Sequence, residues 1–223
     1  MGTVCSRNKE ASAQEKKQKD EAKPRPPESQ PTVEGKQGDN EGGLGQAVKK
    51  TPAQDHKYWI DKNTNNCFMV YPKDMYICWV NDSRYFKWYT VKEISDESVE
   101  VAELLSVCWL EVTGNIDSAM LTPGTTYEVA FVIMVKENSS GLQYPIKLTL
   151  SLPDGSTQEH KVILLKKATG QWIKIPVGQF KTPLQIDGNI GFSFTELDSG
   201  QWKDGIIFRG VRIQPIKEQL SVV

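Results

Sequence analysis

The sequence predicts an all-β fold, an antiparallel, jelly-roll-like β-sandwich preceded by a disordered N-terminal tail. Two observations carry that expectation. Beyond residue 56 the apolar residues recur mostly at every second position, the period of a strand with one buried face, and they fall in short runs separated by Gly and Pro. The six Trp, seven Tyr and seven Phe all lie at or after Tyr58, so the material for a core is confined to one part of the 223-residue chain.

The clearest strand is marked by Tyr127, Val129, Phe131, Ile133 and Val135, which share one face. Ile190, Phe192 and Phe194 mark another. Residues 146–152 and 162–165 flank Pro153-Asp154-Gly155-Ser156, whose turn chemistry predicts a hairpin between two strands. Further strands are expected at 105–113, 172–175 and 206–214, and residues 98–105 are the one stretch read as a helical turn. Trp109 and Trp172 are expected in the core. Many short strands and no internal repeat fit a sandwich.

The stretch from about residue 7 to 54 is rich in Lys, Glu, Gln, Gly, Pro and Ser, and includes Lys23-Pro24-Arg25-Pro26-Pro27. It lacks the apolar surface needed to offset the entropy of ordering, so a flexible tail is expected over 1–55, a folded domain over 56–217 and a short C-terminal tail over 218–223. A formal net charge of −1 gives no general attraction to nucleic acid. The four cysteines, at positions 5, 67, 78 and 108, show no metal-binding or redox spacing, and His56 and His160 stand alone; no metal site and no cofactor are expected. Cys78 and Cys108 read as buried thiols.

No apolar run is long enough to cross a bilayer and the polar start has no secretion core, which predicts a cytoplasmic protein. Met1-Gly2-Thr3-Val4-Cys5-Ser6 fits the pattern for myristoylation at Gly2, with Cys5 open to palmitate. One myristoyl chain binds membranes only marginally, so peripheral attachment would need Cys5 or nearby lysines as well.

Residues 77–88 are the most informative segment. Trp79, Tyr85, Phe86 and Trp88 are interleaved there with Asn81, Asp82, Ser83 and Arg84. Such a mixture suits a sugar, whose C–H face lies against an aromatic ring while its hydroxyl and acetamido groups need polar partners. A tryptophan-rich core corner, each indole N–H satisfying a carbonyl, fits the same residues. Glu196 shares a parity with Phe192 and Phe194 at a strand end, where an inward carboxylate needs a partner or a ligand; an exposed acid at the strand's exit is the alternative.

Several blocks occur in an order that resembles one family: Tyr58-Trp59-Ile60, Asn66-Cys67-Phe68-Met69, residues 79–88, Val107-Cys108-Trp109-Leu110-Glu111, Leu121-Thr122-Pro123-Gly124, Gln171-Trp172, and Trp202-Lys203-Asp204-Gly205 through Pro215. Over about residues 57–216 the chain resembles the plant phloem-lectin family, phloem protein two, to which the Nictaba-type lectins are related. That resemblance implies a noncatalytic, metal-independent β-sandwich lectin for N-acetylglucosamine oligomers and the chitobiose core of N-glycans on glycoproteins. It implies residence in the cytoplasm of phloem companion cells and sieve-element sap, and often a homodimer. It also brings an alternative class, a phloem interaction protein that associates with phloem filament protein or RNA and keeps a residual sugar site.

Carried over residue by residue, the resemblance makes Trp79 the first stacking aromatic and puts Phe86 where related lectins have a second tryptophan. Glu196 matches an acidic position, with Asp198 as a substitute for a second acid and Asp82 as a further hydrogen-bonding candidate. A glycosidase would need two carboxylates at a defined separation, and Asp82 with Glu196 is the one pair to nominate; catalysis is not expected.

Overall fold

The computed structural model describes residues 56–92, 97–184 and 188–216. Among them are twelve strands and three short 3-10 turns in two antiparallel sheets that face each other. The strands are β1 (His56–Ile60), β2 (Asn66–Val70), β3 (Tyr76–Ile77), β4 (Phe86–Lys92), β5 (Ser98–Leu104), β6 (Leu110–Asp117), β7 (Thr126–Val135), β8 (Ile146–Ser151), β9 (Thr157–Val162), β10 (Trp172–Lys181), β11 (Asn189–Glu196) and β12 (Ile206–Pro215). The predicted tail, with Gly2 and Cys5, lies outside the described residues.

β12 organises the larger sheet. One edge pairs along its length with β7, which pairs in turn with β10; the other edge is shared between β5, opposite Ile207 and Phe208, and β2, opposite Val211 to Ile213. The change of partner falls at a bulge between Phe208 and Gly210. Gly210 has φ +145°, and a Cβ there would stand 2.3 Å from the Val70 carbonyl oxygen, so no other residue fits without moving β2. β4 and β1 close the outer ends, and the smaller sheet runs β3-β6-β11-β8-β9.

Alternation places Tyr127, Val129, Phe131, Ile133 and Val135 of β7 against Ile190, Phe192 and Phe194 of β11, as the period predicts. Phe131 meets the edges of Phe192 and Phe194 at centroid distances of 6.0 and 5.2 Å, and Phe194 meets Phe208 at 5.3 Å. Tyr127 is fully buried, but its hydroxyl donates to the Asn66 carbonyl at 2.8 Å and accepts from Thr122 N–H at 3.1 Å. Cys67, Cys78 and Cys108 are all buried free thiols.

Four expectations are corrected. Residues 98–104 form β5, not a helical turn: Ala102 and Leu104 face the sandwich core while Val99 and Val101 join Ile207 in a second apolar cluster on the sheet's outer face. With both faces covered the apolar residues occupy both parities and the period of two disappears. The expected strand at 162–165 is displaced, since the hairpin partner of β8 is the polar β9, and Leu164–Lys166 is a 3-10 turn. β9 is an edge, where exposed polar residues discourage pairing with another chain. The expected strand at 105–113 begins only at Leu110, and Val107 instead makes an isolated bridge to Lys203. Trp109 and Trp172 are half-buried instead of core: Trp109 Nε1 donates to Glu111 at 3.0 Å, and Trp172 lies beneath the Arg209 guanidinium on the outer cluster.

Candidate functional site

The aromatic segment is a series of tight turns between β3 and β4. Cys78 N–H donates to the Glu111 carbonyl and Asp82 N–H to the Trp79 carbonyl, each at 3.0 Å, and the Asp82 carbonyl then receives Tyr85 and Phe86 N–H at 2.9 and 3.0 Å. Closing the chain this way forces Trp79 to φ +67°, the left-handed region that a bulky residue occupies only against a steric cost. Trp79 stays half-buried, its ring tilted 55° against Tyr85 at 5.8 Å. The Arg84 guanidinium lies 5.2 Å over Tyr85 and forks onto the Asp82 carboxylate, with Nη2 at 2.6 Å and Nε at 3.0 and 3.1 Å. These bonds from Arg84 hold the Asp82 carboxyl below its ordinary range.

Beside the turn is a groove of about 460 Å³ lined by Val80, Asn81, Ser83, Lys87, Trp88 and Leu105, with Phe86 at its base. Phe86 is only 2% exposed. Its ring belongs to the sandwich core and offers no free face, a correction to the stacking role expected for it. Phe86 opens β4 on the inward parity, so the same side of the strand brings Trp88 half-way into the core and leaves part of it on the groove. The Tyr85 carbonyl accepts Leu105 N–H at 2.8 Å, which fixes the groove's far wall to the aromatic turn.

Glu196 and Asp198 arrive at the same end of the smaller sheet. β6 runs between β3 and β11 with Ile77 opposite Val112 and Glu196 opposite Leu110, so two strand spacings, about 10 Å, separate the backbones of the turn and of Glu196. Glu196 points inward as its parity predicts and is 6% exposed. Its partner is in the chain. Lys203, with no exposed surface, forms an ion pair with the carboxylate and also donates to the carbonyls of Cys108 at 2.8 Å and Gln201 at 2.7 Å. Ser199 N–H and hydroxyl and Asp198 N–H donate to the remaining acceptor positions of Glu196 at 2.8, 2.7 and 3.1 Å. Burial pushes the Glu196 carboxyl up, but the Lys203 ammonium and the Ser199 donors outweigh it and hold the group below its ordinary range.

Glu196 is therefore a clamp for the loop 197–203, not a free acceptor, and this corrects the ligand-facing role expected of it. Asp198 and Trp202 are exposed on the loop so clamped. Sequence reasoning missed Lys203 and Leu105. The signal for Lys203 was available, since an inward carboxylate with a lysine seven residues on demands a charged partner. Leu105 had none, because its place on the groove follows from strand register alone. Among the described residues no group of three or more His, Cys, Asp or Glu side chains converges as a metal site, and no helix is long and apolar enough to cross a membrane.

The sequence pattern of the family described as phloem protein 2 matches residues 65–215, the whole region that builds the two sheets beyond β1. The chain belongs to that family. It is 43% identical over 161 residues to a protein of Luffa acutangula named a lectin, covering 71% of this chain and 76% of the relative. It is 40% identical over 166 residues to Protein PHLOEM PROTEIN 2-LIKE A1 of Arabidopsis thaliana, covering 74% of this chain and 68% of the relative.

Proposed function

We propose that this protein is a carbohydrate-binding lectin of the phloem that recognises N-acetylglucosamine oligomers and N-glycan cores. The observation that carries the reading is Trp79, kept half-exposed at an unfavourable φ in the turn whose following residues Val80, Asn81 and Ser83 line the groove together with Lys87 and Trp88. A strained aromatic held by a closed set of turn hydrogen bonds is costly unless its ring has work at the surface. In this reading the Trp79 face stacks on a sugar ring, Asn81 and the Asp82–Arg84 pair meet its hydroxyl and acetamido groups, and Asp198 supplies a further acceptor. Glu196 and Lys203 act one step removed, by fixing the loop that carries Asp198 and Trp202.

The reading is that of a binding protein rather than an enzyme. Asp82 is committed to Arg84 and Glu196 to Lys203, so neither has the raised pKa a general acid needs. The Luffa relative's name as a lectin supports the same class. The test is a glycan array probed with the full chain and with its Trp79→Gly variant. Signals on chitin oligomers and N-glycan cores that vanish in the variant support the reading, and an array with no signal from either protein overturns it.

A further inference from the structure

β12 carries Arg209 and Arg212 at an odd spacing, which regular alternation would divide between the two faces of the sheet. The bulge prevents that. Ile206, Phe208, Val211 and Ile213 point into the sandwich, and the extra residue between Phe208 and Gly210 leaves both arginines on the outer face of the larger sheet. Each guanidinium lies on an indole, Arg209 over Trp172 at 5.6 Å and Arg212 over Trp59 at 5.3 Å, and the Arg212 Nε has no hydrogen-bond partner among the described residues. Planar cations braced on rings are already oriented for phosphate.

The same face collects further cations. Lys57, Met69, Arg212, Ala130 and Pro176 lie opposite one another in a row across five strands, about 19 Å, and Lys87, Glu103, Ile207, Met134 and Trp172 form a second row. Lys174, opposite Val132, and Lys181, opposite Thr126, extend the face along β10, and both are exposed. Lys57 is met by Glu97, and Glu103 by Lys136. The strands thus set four lysines and two arginines on this face against Glu103 and Glu128, although the whole chain has a formal net charge of −1. The outer face of the smaller sheet has the opposite balance, with Glu111, Asp117 and Glu159 against Lys147 and Lys161.

Such a face fits a partner that is broad and anionic. Trp59, Trp172 and Tyr89 are half-buried among the cations, and amphipathic rings with basic side chains are the combination that settles at a lipid headgroup layer. A single-stranded nucleic acid needs open rings on which its bases stack, and here each indole has a guanidinium over it. A second copy of the chain is disfavoured because two such faces carry like charge. We propose that the outer face of the larger sheet docks the folded domain on an anionic phospholipid surface, with Arg209, Arg212 and Lys174 meeting the headgroup phosphates. The docking does not depend on the sugar site.

The experiment is vesicle sedimentation of the full chain, produced in a bacterial host so that it carries no acyl group. The vesicles are phosphatidylcholine alone and phosphatidylcholine with about one-third phosphatidylserine. The proteins are the parent, Lys174→Glu with Lys181→Glu on the larger sheet, and Lys147→Glu with Lys161→Glu on the smaller. The two double variants change the net charge equally on opposite faces, so general attraction and any contribution from residues 1–55 cancel between them, and thermal melts establish that both are folded. The expected result is a parent that binds only the serine-containing vesicles, weakened at least about thirtyfold by the Lys174 and Lys181 reversals and within about threefold of its affinity after the Lys147 and Lys161 reversals. A parent that leaves those vesicles unbound, two double variants weakened alike, or a larger-sheet variant as tight as the parent overturns the proposal. A parent that binds a single-stranded oligouridylate and no vesicle also overturns it, in favour of nucleic acid.

Discussion

Glu196 and Lys203 form an ion pair at the end of the smaller sheet in which the lysine has no exposed surface and the glutamate almost none. Lys203 is joined by backbone bonds in both directions to Val107, and its ammonium reaches the carbonyls of Cys108 and Gln201, so one side chain ties β11, the segment before β6 and the loop 197–203 together. Removing one partner leaves a buried charge uncompensated.

Lys203→Met should therefore cost about 3–5 kcal/mol of stability, whereas the double variant Glu196→Leu with Lys203→Met should recover a large part of that loss. Urea unfolding of the three proteins is the check. Additive losses in the double variant would show that the pair is not coupled.

Stability should depend on acid in a defined window. The folded Glu196 carboxyl titrates below its ordinary value of 4.5. Its contribution is fully present above the unfolded-state pKa, about 4.3, and is lost as pH falls from there through the lower folded value. The unfolding free energy attributable to Glu196 should be flat from neutral pH down to about 5 and decline below it. Comparing the parent with Glu196→Gln isolates this group: the difference between them should shrink as the pH drops, and a difference that grows would contradict the assignment.

The strand pattern was legible wherever one face of a strand is buried and the other is not. β8 and β11 follow from Ile146 and Ile190 onward by alternation, and β7 follows from Tyr127, Val129, Phe131, Ile133 and Val135 although Ala130 and Val132 are buried on its other face; β12 stood out only as an apolar run, with Ile206 and Phe208 in the core and Ile207 in the outer cluster. β5 was misread because Val99 and Val101 pack outside the sandwich while Ala102 and Leu104 pack inside, and β9 because an edge strand needs no apolar face. At the site, the parity of Glu196 was readable and its partner was not, because pairing across the loop depends on register. Phe86 was given a stacking role because the family resemblance puts it where related lectins have a second tryptophan, although its spacing of two from Trp88 places both on one side of β4. The groove beside Leu105 was invisible in the sequence, since it is made where β4, β5 and the aromatic turn meet.

Backbone strain at two positions gives opposite expectations for glycine. Gly210→Ala should destabilise by several kcal/mol, about 2–4, because the Cβ would meet the Val70 carbonyl at 2.3 Å in addition to the φ of +145°. At Trp79, φ +67° makes Trp79→Gly more stable than Trp79→Ala by about 1 kcal/mol, since both lose the ring and only glycine accepts the left-handed backbone without cost. Thermal melts of the pair of Trp79 variants read the difference directly, and equal midpoints would show that the turn relaxes when the ring is gone.

The most direct test of sugar recognition at the aromatic turn is calorimetry of the full chain with chitotriose, comparing the parent with Trp79→Gly. Loss of a stacking aromatic is worth about 1–3 kcal/mol, so affinity should fall by about tenfold or more while the cooperative unfolding transition is retained. A Trp79→Gly protein that folds and binds chitotriose as tightly as the parent would contradict the account and place recognition away from this turn.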